Sequence, residues 1–150
     1  MEAVRAVPPA IRTPAAYRRM CLVSLWALAA IIVTGATVRL TGSGLGCPQW
    51  PTCADDRIVA PLEYHAMVEF VNRTVTGLVS LAVIVAVAGS LVRIPRRRDL
   101  TIWSMALVAG VVAQIVIGAF VVTSGLDYSM VALHFLASML LVAAAVVLVD

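Results

Sequence analysis

His65, Glu69 and Asn72 fall at i, i+4 and i+7, so a helix through them carries all three on one face, with Arg73 beside it. A second histidine, His134, stands near the start of a later apolar run. Ionisable side chains are costly inside a bilayer, so each one suggests a function before it suggests packing. A single intramembrane histidine is well explained as a core residue bonded to a backbone carbonyl. Two at similar depth, on alternate helices of one bundle, point instead to a shared ligand. Imidazoles projecting inward from facing helices are the usual way a membrane bundle holds heme. The chain has no CxxCH run, so such a heme would be held without covalent attachment. A metal-ion site is less well supplied, because both histidines and a glutamate would have to meet at one point. Heme needs an axial nitrogen, for which His134 and His65 are the candidates, and cations for its propionates. Arg39 and Arg73 are sided for the second task, although either can equally anchor the interface or pair with Glu63 or Glu69.

Cys47 and Cys53 share one loop, Cys-Pro-Gln-Trp-Pro-Thr-Cys, and a disulfide between them suits an oxidising compartment. The bridge can serve as a clip that shapes a cap over the bundle or as a redox-active pair. Cys21 is alone and reads as an inert buried thiol. The glycines of Thr41-Gly-Ser-Gly-Leu-Gly46 let the backbone turn sharply and approach another group closely. No lysine or strand-to-helix context follows them, which argues against a phosphate loop.

The elements that must position these residues are membrane helices. Of 150 residues, 62% are hydrophobic and 13% charged, and mean hydropathy is +1.01, which excludes a soluble domain of this size. Uncharged stretches run over Cys21–Val38, Thr74–Val92, Leu100–Leu126 and Tyr128–Val149. Each is long enough to span about 30 Å of hydrocarbon at about 1.5 Å per residue. The expectation is an all-α integral membrane protein, a four-helix bundle with helices near 20–39, 62–92, 100–123 and 129–149, behind a leader over 1–19. The first run lacks a small-residue cleavage pattern and reads as a helix, not a signal peptide. The net charge of +3 rests on arginines, and most flank apolar runs, so it reports orientation and not nucleic-acid binding. Arg5, Arg12, Arg18 and Arg19 precede the first helix, and Arg93, Arg96, Arg97 and Arg98 separate the second and third. Both termini are therefore expected in the cytoplasm, with the loop over 40–62, bearing Asp55 and Asp56, on the outer face. A second helix over 62–92 would be roughly 46 Å long, exceeding the bilayer core, with Pro61 in its first turn. A faint internal echo links Gly35-Ala-Thr-Val38 to Gly118-Ala-Phe-Val121, each followed by a histidine-bearing helix. Close helix packing explains such small residues equally well.

The run Gly35-Ala-Thr-Val-Arg-Leu-Thr-Gly-Ser-Gly-Leu-Gly-Cys-Pro-Gln-Trp-Pro-Thr-Cys53, then Glu69-Phe-Val-Asn-Arg73, then Ala132-Leu-His-Phe135, resembles the amino-terminal half of the bacterial heme A synthase family. The likeness covers nearly everything after the leader, in order and with matching spacing. It implies an eight-helix enzyme of two similar halves in the bacterial cytoplasmic membrane. That enzyme oxidises the C8 methyl of heme O to a formyl group by successive hydroxylations, making heme A for terminal oxidases. The resemblance places substrate heme in this half and cofactor heme b in the half absent here. It makes Glu69 the catalytic acid, His134 an axial iron ligand, and Cys47 and Cys53 a disulfide that matters in substrate handling. The implied partners are heme O, the lipid bilayer, heme O synthase, cytochrome oxidase assembly factors and a second copy or second half.

Two departures stand out. The family's helix 2 histidine falls on Asn72, and an amide is a poor iron ligand, so either iron is five-coordinate or His65 replaces the missing ligand. His65 lies roughly 10 Å along the axis from Asn72, so that replacement would shift the heme. The sequence also stops at Asp150, where the second half would begin, so a fragment is expected, with oligomerising four-helix members as the alternative. Two competing readings are a non-catalytic heme-binding or assembly module and a disulfide-generating, quinone-linked four-helix protein. The latter normally needs a second cysteine pair, and only Cys21 is left over.

Overall fold

A computed structural model describes residues 7–54 and 56–149. Arg5, Asp55 and Asp150, which entered the sequence reading as flanking charge, loop charge and chain end, lie outside the described residues. Four helices are long and apolar enough to cross a membrane: α1 (Pro14–Leu40), α2 (Tyr64–Val92), α3 (Arg98–Thr123) and α4 (Tyr128–Val149). No strand occurs among the described residues. The helices alternate in direction and pack as a ring, α1 on α2, α2 on α3, α3 on α4 and α4 back on α1.

Helix α1 starts well before the expected position near residue 20. Pro14 has the fixed φ that suits a first helical turn, and the Thr13 hydroxyl accepts from Ala16 N at 3.1 Å. The described part of the segment read as leader, from residue 7 on, thus holds a short 3-10 turn, Pro9–Arg12, leading into a capped helix start. Ile94 N donates to Arg12 O at 2.8 Å, tying that turn to the α2–α3 connection. Helix α2 opens at Tyr64, behind a Glu63 N-cap, so Pro61 lies before the helix instead of in its first turn.

The two ends of the bundle differ. At the end where α1 begins and α4 finishes, Tyr17, Cys21, Leu28, Val83, Leu107 and Leu148 form a buried core. Tyr17 Oη and Ser104 Oγ share a hydrogen bond of 2.9 Å across α1 and α3, and Ser24 Oγ donates to Ala82 O at 3.0 Å across α1 and α2. Small residues let the helices close here. A Cβ on Gly89 would lie 2.5 Å from Met20 Sδ. Toward the other end the helices leave a space, roofed by the loop that joins α1 to α2.

Candidate functional site

Three glycines help make the space. Gly35, Gly77 and Gly118 line it from α1, α2 and α3, where larger side chains would fill it. The cavity measures about 510 Å³ and is lined by all four helices, with Trp50 and Pro51 of the loop and Leu126 of the α3–α4 turn at its upper rim. That size lies within the roughly 300–1,000 Å³ typical of small-molecule sites. His134, Glu69, Asn72, Arg73 and Arg39 all line it, so the structure brings five of the six predicted heme-site residues together.

An ion pair on α2 ties the roof to the bundle. Glu69 is 4% exposed, and its Oε2 accepts from Cys47 N at 2.8 Å. Its Oε1 accepts from Arg73 Nη2 at 2.6 Å. Arg73 donates further to Cys47 O at 2.7 Å, Thr52 O at 2.8 Å and Gln49 O at 2.9 Å. Its planar fork therefore binds three carbonyls of the cysteine loop as well as Glu69, a geometry that suits guanidinium and not ammonium. Arg73 thus holds the loop rather than standing free for a propionate. Arg39 is exposed and makes no hydrogen bond or ion pair among the described residues, so it is the cation left available at the rim.

Cys47 and Cys53 form a disulfide, and both are buried against Ala60 and Ala66. Burial argues for the clip and against thiol exchange, which needs access. The glycine run does what its composition suggested. Gly42 adopts φ +66°, and Gly46 presses so closely on α2 that a Cβ there would lie 2.2 Å from His65 O.

His65 does not reach the cavity. It is exposed in the first turn of α2, its Nδ1 pairs with Ser43 Oγ at 2.9 Å, and its ring lies edge-on to Tyr64. His134 does reach it. Its ring makes no hydrogen bond among the described residues, and its Nδ1 is fully buried. Gly118 gives the ring room, since a Cβ there would lie 3.4 Å from His134 Cε1. Gln114, one turn below Gly118, donates to His134 O at 3.0 Å and to Ser138 Oγ at 2.7 Å, fixing the backbone that carries the imidazole. Gln114 was missed because the sequence reading weighed ionisable groups, yet a lone amide in an otherwise apolar span is the same kind of signal. Thr34, whose hydroxyl meets Asn72 Oδ1 at 2.8 Å, was missed for the same reason.

A half-buried imidazole whose buried Nδ1 has no hydrogen-bond partner among the described residues, a cavity of ligand size and, at the rim, a guanidinium that pairs with none of those residues suit a heme, so the residues fit the group that the sequence suggested. Fold and site together define a four-span helical membrane protein whose bundle is packed at one end and opens into a ligand cavity at the other. The pattern of the cytochrome oxidase assembly protein family matches residues 18–66 and 59–149. The heme A synthase of Lysinibacillus sphaericus (strain C3-41) is 33% identical over 119 residues, covering 79% of this chain and 39% of that protein. That of Alkalihalophilus pseudofirmus is 32% identical, covering 79% and 40%. That of Geobacillus kaustophilus is 35% identical over 106 residues, covering 69% and 32%. The chain belongs to the cytochrome oxidase assembly protein family and is similar to heme A synthases over most of its length. It spans about two fifths of the length of the first two of these relatives.

Proposed function

We propose that this chain is the half of a heme A synthase that holds heme O while its C8 methyl is oxidised to a formyl group. One observation carries the reading: one cavity of ligand size is lined by a buried carboxylate together with an imidazole and a guanidinium that have no side-chain partner among the described residues. In this reading His134 supplies the axial nitrogen, and Gln114 with Ser138 keeps its backbone in place. Arg39 takes a propionate at the rim. Arg73 acts one step removed, by fixing the loop over the cavity. Glu69 faces the reactive edge and accepts a proton, or stabilises positive charge, as the methyl is oxidised. Bound heme would supply a redox-active iron; the four electrons taken from the methyl would pass to an external electron acceptor, with water as the source of the formyl oxygen. The polypeptide lies in the bacterial cytoplasmic membrane with both termini inside and the disulfide loop outside. Heme O arrives from a heme O synthase, heme A leaves toward oxidase assembly factors, and heme b belongs to a second half or second copy.

Two substitutions test this. Protein purified from membranes should take up heme, and His134→Ala should abolish the heme absorbance at equal protein level; a retained spectrum moves the ligand elsewhere. Glu69→Gln should keep bound heme but lose conversion of heme O, and unchanged conversion would discard the catalytic role. The departure at Asn72 favours a second reading, a heme-binding module without catalysis. Extraction and mass measurement decide between them: heme O or A supports the synthase, and heme b alone supports the module.

A further inference from the structure

Asn72 and His134 occupy equivalent stations. Gly35 on α1 and Gly118 on α3 head the two echoed Gly-Ala-x-Val runs. A Cβ on Gly35 would lie 4.0 Å from Asn72 Oδ1, and one on Gly118 would lie 3.4 Å from His134 Cε1. Each helix pair thus repeats one device, a glycine on its first helix that faces a polar side chain on its second. Both polar side chains line the same cavity. In one pair the side chain is an imidazole, and in the other it is a carboxamide.

The amide is oriented. The Thr34 hydroxyl has one proton and two acceptors in reach, Asn72 Oδ1 at 2.8 Å and Ile31 O at 3.2 Å, and the shorter contact takes it. That occupies Oδ1 and leaves Nδ2, which has no hydrogen-bond partner among the described residues, as a donor. An amide nitrogen delocalises its lone pair into the carbonyl and does not ligate iron. Its two N–H groups can still donate to something that does.

We infer that heme in this cavity receives one protein nitrogen, from His134, and that Asn72 donates a hydrogen bond to a small exchangeable ligand, water or an anion, at the second axial position. The inference rests on the heme-binding reading above. It assigns to this chain a site for an exogenous ligand where a second histidine would leave none. His65 does not compete for that position, because it is exposed in the first turn of α2 and stands outside the cavity.

The experiment is absorption and electron paramagnetic resonance of the ferric heme complex of the full chain, with fluoride as the probe anion. The wild-type complex should be high-spin, and His65→Ala should leave it so. Asn72→His should convert it to a low-spin, two-imidazole spectrum. Asn72→Leu should keep heme bound but weaken fluoride binding about tenfold, the loss expected for one hydrogen bond to an anion. Asn72→Ser, which is smaller and keeps a polar group, should weaken it too if the leucine variant does not accumulate. A low-spin wild-type spectrum that His65→Ala abolishes would overturn the inference and leave the functional reading intact. Unchanged fluoride affinity in Asn72→Leu, or in Asn72→Ser where the leucine variant does not accumulate, would also overturn it. Failure of the wild-type protein to take up heme would instead overturn the functional reading, and this inference with it.

Discussion

Arg73 makes four hydrogen bonds with one guanidinium, and three of them go to carbonyls of the cysteine loop. Removing it leaves those carbonyls and the buried Glu69 carboxylate without their shared donor. Breaking a fully buried pair from one side costs about 3–5 kcal/mol; Arg73 is partly exposed, so Arg73→Leu should cost less than that while lowering thermal stability and speeding amide exchange over 47–53. Arg73→Lys should not rescue it, since an ammonium cannot reach four acceptors spread around a plane. Rescue by lysine, or unchanged exchange in the loop, would mean that the disulfide alone shapes the roof. The sequence pointed to Glu69 and His134 because an ionisable group in an apolar helix is conspicuous by its cost. Of the two alternatives left open at Asn72, the one that uses His65 meets a physical obstacle. The shared face with Glu69 is real, but His65 stands one turn higher, beside Ser43 and outside the cavity. Arg73 was legible as a cation, but its partners were not, because they are backbone carbonyls brought near by a loop whose path no periodicity encodes.

That loop is the element on which the site most depends. Its glycines serve two distinct needs, which substitution can separate. Gly42 has φ +66° with nothing within 4 Å of an added Cβ, so Gly42→Ala meets only the left-handed backbone penalty, about 1–2 kcal/mol. Gly46→Ala places a Cβ 2.2 Å from a carbonyl oxygen of α2, a contact that no side-chain rotation relieves. It should cost more than Gly42→Ala in thermal unfolding and should loosen bound heme, because the loop must lift from α2 and takes Trp50 and Pro51 with it. Equal costs for the two variants would show that the loop does not press on α2 in solution. The four helices themselves were legible from their apolar runs, including their order. Their ends were not: the Thr13 cap and Pro14 start lie in a stretch whose prolines and arginines look like leader composition. Capping is a local hydrogen bond, and hydropathy does not register it.

The whole molecule is asymmetric along its long axis. One end is closed by the Tyr17–Ser104 contact and the buried core around Leu107, and the other is propped open by glycines under a loop held by Arg73 and Glu69. A ligand that fills such a half-hollow bundle should stabilise it unevenly. Binding shifts unfolding by RT ln(1 + [L]/Kd), about 2.7 kcal/mol at a hundredfold excess over Kd. Titrating heme into the purified chain should therefore raise the melting temperature with heme concentration, and His134→Ala should remove most of the rise. Amide exchange should slow mainly near the cavity, in α2 around Asn72 and α4 around His134, and in the loop over 41–53. The packed end around Tyr17, Cys21 and Leu148 should change little, since its protection does not depend on what fills the cavity. Uniform slowing along all four helices would instead mean that the open end is no weaker than the closed one, and the cavity would then be no preformed site. Slowing confined to the lipid-facing sides, with no dependence on His134, would place heme on the outside of the bundle.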